Sequence, residues 1–497
     1  MRCLLTLACS FYFLTLSWGQ EEVSIRGCAT PDEYHPWLDT YHQSIHQYYQ
    51  RSGTEVLYLP LTIFSVGKTN GEGHIPSVKI YESICQVNED FKPYNIQFYL
   101  KGNIRKINRD SYYDHDNFTE GRRMMSSYRI PSTVNCFFTN SAPSDACGYY
   151  HPSAEGIVVI KNCLGSNGHT WTHELGHWLS LPHTFFGWEG TTYNSNSKTP
   201  EYLKVSGFDT TYVERVDGTN CQKAADRFCD TPPDYLSLGW SCNGDSQSNV
   251  VLKDPRGENF RSDGTNYMAY SIDACQSKFS PDQTDAMRSY LQFVKSSYVN
   301  QDILIQNVQS ASLNLNYPAN NQKVHFQNVK LEWKHVVNAT NYLVQISRFS
   351  FFATIEYEFT VESNSVTLTE LPNDRRWYWR IKPFNPYDFC ADFSEEQSFT
   401  TEDATYTEEI NANNSVDVFP TLVSRSNPEV QVQFYFSDIL PTQIQLISLS
   451  GITMWKEHLP NPGNLNYSLS VGDLSAGMYF LQIITDRGHL VKKITIQ

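Results

Sequence analysis

His173-Glu174-Leu175-Gly176-His177-Trp178-Leu179-Ser180-Leu181-Pro182-His183 is the stretch on which the reading of this chain turns. Two imidazoles four residues apart on a helix lie on one face, one turn apart, so both reach a single ion at ~2 Å without distorting the backbone. Trp171, Leu175, Trp178 and Leu179 recur at helical spacing and supply an apolar stripe that buries the helix and stiffens the two histidines. A third ligand cannot converge from the same straight helix. The helix must therefore end before His183, and Pro182 enforces that ending. The carboxylate of Glu174, next to the first histidine, suits polarisation of a water held by the ion. Three neutral histidines leave a zinc ion its full double charge, bring the pKa of its water toward ~7 and leave a fourth position for a carbonyl. Histidines that share a helix face by accident are the competing reading, and the third histidine is what weighs against it.

Downstream, Asn266-Tyr267-Met268-Ala269-Tyr270 resembles the Met-turn that accompanies HExxHxxGxxH helices. Taken alone, Met268 is an ordinary core thioether. The run HELGHWLSLPHTF, with NYMAYSIDAC and Cys229-Asp230-Thr231-Pro232, resembles the pappalysin (cytophagalysin) family of metzincin zinc metalloendopeptidases over roughly residues 55 to 297. The resemblance implies a secreted endopeptidase that hydrolyses peptide bonds of proteins, with one catalytic Zn2+ on His173, His177 and His183 and with Glu174 working the water. Tyr270 would then hydrogen-bond the tetrahedral intermediate, the alternative being a buried structural tyrosine. The chain departs from the metzincin pattern at Ser180, where glycine usually serves a left-handed turn. Serine there costs on the order of 1 kcal/mol, small beside the ~10 kcal/mol of zinc binding, so the ligand set is expected to survive.

Arg26-Gly27-Cys28-Ala29-Thr30 resembles the cysteine-switch segment of family propeptides, in which a thiolate fills the open position on zinc and keeps the precursor latent. That role requires an unpaired Cys28, whereas an ordinary disulfide partner is the alternative. Nine cysteines lie between Cys28 and Cys275, and setting Cys28 aside leaves an even eight. Asp273 follows the Met-turn where metzincins line the pocket for the residue after the scissile bond. A carboxylate there favours cleavage before Arg or Lys, and Gln50-Arg51 becomes a candidate self-processing bond; a capping aspartate is the alternative. The resemblance also implies interlaced disulfides, Cys221 with Cys242 and Cys229 with Cys275. Family members bind Ca2+, and Asp217, Asp226, Asp230 and Asp234 crowd one loop with hard oxygen ligands, although acidic loops are commonly just solvated.

The 497 residues exceed one core, and 40% hydrophobic against 18% charged residues describes a globular chain. A formal net charge of -15 argues against nucleic acid as a partner. Residues 1–19 read as a signal peptide: Arg2 precedes a mostly apolar run from Leu4 to Leu16, and Ser17-Trp18-Gly19 offers small residues for cleavage. That run is too short for a membrane span, and no later stretch reaches ~20 apolar residues. The architecture expected is multidomain: an α/β (α+β) metzincin catalytic domain followed by two all-β sandwich domains. Residues 20–51 read as a propeptide and 52–300 as the catalytic domain. Residues 301–402 resemble a fibronectin type III domain through Val329–Trp333, Tyr342–Ile346 and Trp377–Ile381. Residues 403–416 read as a polar linker, and 417–497 resemble the C-terminal sorting domain of type IX secretion substrates. That resemblance implies a Gram-negative bacterium, passage through its outer membrane by the type IX machinery, and a secreted or surface location. A secreted adhesive protein with a lapsed catalytic domain is the rival function. Retention of Glu174 discriminates, because a scaffold needs at most the histidines.

Overall fold

In the computed structural model, the apolar run expected as the first core strand forms β1, Leu57–Gly67, buried along nearly its whole length. A strand buried on both faces belongs inside a parallel sheet covered by helices. The structure describes residues 27–30, 35–44, 54–205, 208–300, 306–310, 313–402, 414–437, 441–449, 451–485 and 488–497. The signal-peptide reading, Arg26, the Gln50-Arg51 bond and positions 403–413 of the linker lie outside them. Two compact units divide after residue 303, with 76–78 grouped with the second.

The first unit is built on a six-stranded sheet of β1, β2 (Ile96–Leu100), β3 (Arg105–Asn108), β4 (Val134–Thr139), β5 (Gly148–His151) and β6 (Gly156–Ile160). Its order is β2-β1-β4-β6-β5, with β3 also beside β1. All pairings are parallel except β5 with β6, so the antiparallel β5 forms one edge. Parallel neighbours need a crossover. Helix α2 (Ser77–Phe91; α1 is Pro36–Gln43) makes the one from β1 to β2 and buries Ile80, Ile84, Val87 and Phe91 at helical spacing. Two shorter helices, α3 (Asp110–Tyr113) and α4 (Phe118–Tyr128), lie between β3 and β4.

The helix that carries the decisive motif, α5 (Thr170–Trp178), packs on β5 and β6. Its Trp171, Leu175 and Trp178 are all buried, and Trp171 meets Phe138 of β4 edge-on at 5.1 Å. The chain beyond it folds over a small core of Phe185, Trp188, Val213, Tyr235 and Leu252. Helix α6 (Pro281–Phe293) follows, started by a capping box of Ser280 and Gln283. Asn300 then donates its N–H to the Tyr58 carbonyl at 2.9 Å, returning the chain to β1.

The segment read as a leader is anchored. In α1, Leu38 and Tyr41 are buried, Trp37 lies 5.1 Å from the Tyr290 ring of α6, and Asp39 pairs with Arg227.

The second unit is all β. In its first part a three-stranded and a five-stranded sheet enclose Trp333, Tyr342, Val344, Trp379, Ile381 and Phe399. In its last part a similar pair of sheets encloses Val432, Phe434, Ile444, Leu446, Leu481 and Ile494. The strand Asn414–Phe419 starts inside the span read as linker, because Val416 is buried in this last core. Among the described residues no helix is long and apolar enough to cross a membrane.

Candidate active site

Helix α5 ends where Pro182 requires: Leu179 caps it, and Leu181 N–H bonds back to the Gly176 carbonyl at 3.0 Å. Ser180 takes the left-handed backbone expected of it, with φ 82°, and its buried hydroxyl has no hydrogen-bond partner. Both features cost stability. Ser180→Gly is therefore expected to raise the stability of the catalytic unit by about 1 kcal/mol, read as a higher unfolding temperature; a lower one would contradict this account of the turn.

The turn brings His183 back over the helix. His177 Nε2 lies 3.1 Å from His173 Nε2 and 3.0 Å from His183 Nε2. Each ring's other nitrogen faces an acceptor: His173 Nδ1 the Tyr267 carbonyl at 2.7 Å, His177 Nδ1 the Leu181 carbonyl at 2.8 Å, and His183 Nδ1 the Glu189 carboxylate at 3.3 Å. The hydrogens belong on Nδ1, so three bare Nε2 lone pairs face one another. Burial holds His173 and His183 down to about 3 and His177 well below its usual range. Neutral nitrogens crowded this way repel unless a cation sits among them, so the donor set fits a divalent metal with nitrogen ligands.

Cys28 completes the group, its Sγ and the three histidine nitrogens all lying within 4.8 Å of one another. The segment around Cys28 reaches this point through a single parallel bridge from Cys28 to Gly148 at the start of β5, with Ala29 N–H on the Gly148 carbonyl (2.9 Å) and Cys147 N–H on the Gly27 carbonyl (3.0 Å). Cys28 is a free thiol, which its alternative role as a disulfide partner would not allow. Burial and the nearby Glu174 push the thiol well up.

Glu174 is fully buried. Its Oε2 accepts from the Thr30 hydroxyl at 3.0 Å and from the Cys28 thiol at 3.4 Å, while Oε1 has no partner. Burial pushes its carboxyl up to about 8. The Tyr270 phenol donates to the Cys28 carbonyl at 2.6 Å, and its ring lies 4.9 Å from that of His183. Met268 is buried beneath the histidines, so close that a Cβ on Gly176 would stand 2.4 Å from its sulfur. Asp273 borders a cavity of about 410 Å3 shared with Cys28, His173, Glu174 and Tyr270, and its Oδ1 accepts from the His169 N–H at 3.2 Å.

The interlaced disulfides expected here do not form. Cys221 pairs with Cys229 (Cα–Cα 5.1 Å) and Cys242 with Cys275 (6.2 Å), instead of Cys221 with Cys242 and Cys229 with Cys275. The reason is local pairing: Trp240 N–H bonds the Tyr270 carbonyl and Ile272 N–H the Trp240 carbonyl, which sets Cys242 beside Cys275. A third bridge, Cys147 with Cys163, joins β5 to the approach of α5.

The four aspartates expected to crowd one loop also separate. Asp217 pairs with Arg256, and Asp230 accepts from Ser280 and Asp282 at the start of α6. Asp226 and Asp234 are buried, and with them lies Glu214, which sequence reasoning missed. Burial and these two aspartates push Glu214 up to about 10, and its Oε2 has no partner. Glu189 and Asp90 were missed as well, and Thr30 was singled out only as part of the segment around Cys28, not as a partner of Glu174. No spacing rule points to them, because their partners come from segments that only the fold brings near.

Residues 426–497 match the family model of a secretion system C-terminal sorting domain. An extracellular metalloprotease of Colletotrichum graminicola is 26% identical over 247 residues, 46% of this chain and 73% of its own length. Another, of Verticillium alfalfae, is 27% identical over 247 residues, 46% of this chain and 74% of its own. Among solved structures, a Tannerella forsythia promirolysin mutant is similar at 18% identity and a TM-score of 0.38, over 55% of this chain and 96% of that one. The histidine-lined site and these relatives make the chain a metalloprotease, similar in sequence to extracellular ones, with residues 426–497 matching a secretion-system sorting domain.

Proposed function

We propose that the chain is a latent zinc endopeptidase, with His173, His177 and His183 holding one zinc ion and Cys28 closing the fourth position until the leader is removed. The observation that carries this reading is the convergence of three Nε2 lone pairs at 3.0 to 3.1 Å with every Nδ1 engaged elsewhere. When bound, the ion supplies Lewis acidity toward water and toward a peptide carbonyl. Glu174, which lines the cavity beside His173, takes the proton from the attacking water and delivers it to the leaving amine. Once the leader departs, the Tyr270 phenol is free to donate to the oxyanion in place of the Cys28 carbonyl. Met268 supports the helix from below. Treatment of the activated protein with a zinc chelator is expected to abolish casein cleavage and added zinc to restore it; cleavage that persists without zinc would end the proposal.

The Asp273 carboxylate beside the cavity supports cleavage before Arg or Lys, with Gln50-Arg51 as the processing bond. Asp273→Asn is expected to lower kcat/KM for peptides with Arg after the scissile bond by about tenfold to a hundredfold relative to neutral ones. An unchanged ratio in a peptide library would reassign Asp273 to capping the turn before α5. Ca2+ is the cation proposed for the acidic pocket, where Glu214 Oε2 is buried without a partner and Asp226 and Asp234 lie near enough to push its carboxyl up. Calcium should then raise the unfolding temperature of the native chain, and not that of Glu214→Gln.

The division into signal (1–19), propeptide (20–51), catalytic domain (52–300), fibronectin-like domain (301–402), linker (403–416) and sorting domain (417–497) completes this reading. Its setting is the exterior of a Gram-negative bacterium. N-terminal sequencing of secreted protein tests the first two boundaries.

A further inference from the structure

Asp90, at the end of α2, is 6% exposed and accepts four hydrogen bonds. Thr172 Oγ1 (2.6 Å) and His169 Nδ1 (2.8 Å) reach its Oδ2, and Gln86 Nε2 (2.8 Å) and the Tyr267 phenol (3.2 Å) reach its Oδ1. Three of these donors lead into the active site. Tyr267 spans the gap, its phenol on Asp90 and its carbonyl on His173 Nδ1 at 2.7 Å. Thr172 stands beside His173 on α5. His169, just before α5, holds Asp273 Oδ1 through its backbone N–H while its ring is tied to Asp90.

We propose that Asp90 is a positioning residue that orients the zinc ligand His173 through Tyr267 and seats the specificity carboxylate Asp273 through His169. The proposal rests on the zinc-endopeptidase reading above and adds a residue more than eighty positions upstream of the motif. A carboxylate suits the task because it is acceptor-only and has about four lone-pair sites for four donors. Asparagine has the same shape, yet it turns an NH2 group toward two of those donors and leaves them unsatisfied. In a buried network such a mismatch moves whatever the network holds, here the Met-turn and the start of α5.

The experiment compares zinc release from the purified full chain to a chromophoric chelator, and the visible absorption of its Co2+-substituted form, in wild type, Asp90→Asn, Tyr267→Phe and Asn88→Ala. Asn88 lies in the same helix and pins β2 through both backbone groups of Phe98 (2.9 and 2.7 Å), without touching the site, so its variant reports a purely structural loss. Zinc is expected to leave Asp90→Asn about tenfold faster than wild type, with a changed cobalt band. Tyr267→Phe should show a smaller effect of the same sign, and Asn88→Ala should lose thermal stability with release and spectrum unchanged. Release from Asp90→Asn at the wild-type rate, or Asn88→Ala matching it, would overturn the proposal while leaving the zinc reading intact. A wild type that binds no zinc would instead remove the reading beneath it.

Discussion

Glu174→Ala is expected to reduce casein hydrolysis by the activated enzyme roughly a thousandfold, the scale of a lost general base, while fold and metal content stay as in wild type. The geometry separates these effects. Glu174 sits beside His173 in sequence, yet among the described residues the group whose ligand atoms converge consists of Cys28 and the three histidines. Its Oε1 is buried without a partner, so truncation removes an unsatisfied polar atom and a costly buried acid. A change in circular dichroism or in metal content alongside the lost activity would mean that Glu174 holds the site together. Equal residual activity in wild type and variant would favour the rival function, an adhesive protein whose catalytic domain has lapsed.

The second large effect is expected at the leader. Full-length Cys28→Ala should cleave casein before any processing, at least about tenfold faster than the unprocessed wild type, because among the described residues the thiol is what the leader contributes to the metal-holding group. The backbone bridge to β5 and the docking of α1 survive the substitution, so the variant falls short of fully processed enzyme. Thr30 contributes a separate restraint. Its hydroxyl accepts from Tyr150 N–H at 2.8 Å and donates to Glu174 at 3.0 Å, holding the carboxylate away from water. If unprocessed Cys28→Ala is as silent as wild type, latency rests on the backbone bridge and on Thr30 rather than on the thiol.

What could be read from the sequence follows from the range of each interaction. The helix with two histidines on one face, its ending at Pro182 and the left-handed turn at Ser180 are consequences of local geometry, and local geometry is legible. Alternating strands rich in buried tryptophan likewise disclosed the β-sandwich character of the second unit. The cysteine pairing was misread, because two bridges among four cysteines depend on which strands run side by side, and the Trp240 to Ser271 bridge has no signature of its own. Glu189, Asp90 and Glu214 stayed hidden for a related reason. A buried carboxylate is unremarkable in sequence until the fold surrounds it with donors or, as at Glu214, with other acids.

Metal analysis of the purified full chain should return one zinc per chain in the wild type and in Glu174→Ala, and a loss of most of it in His183→Ala. Wild-type protein without stoichiometric zinc, or zinc that stays when His183 is replaced, would contradict the central claim.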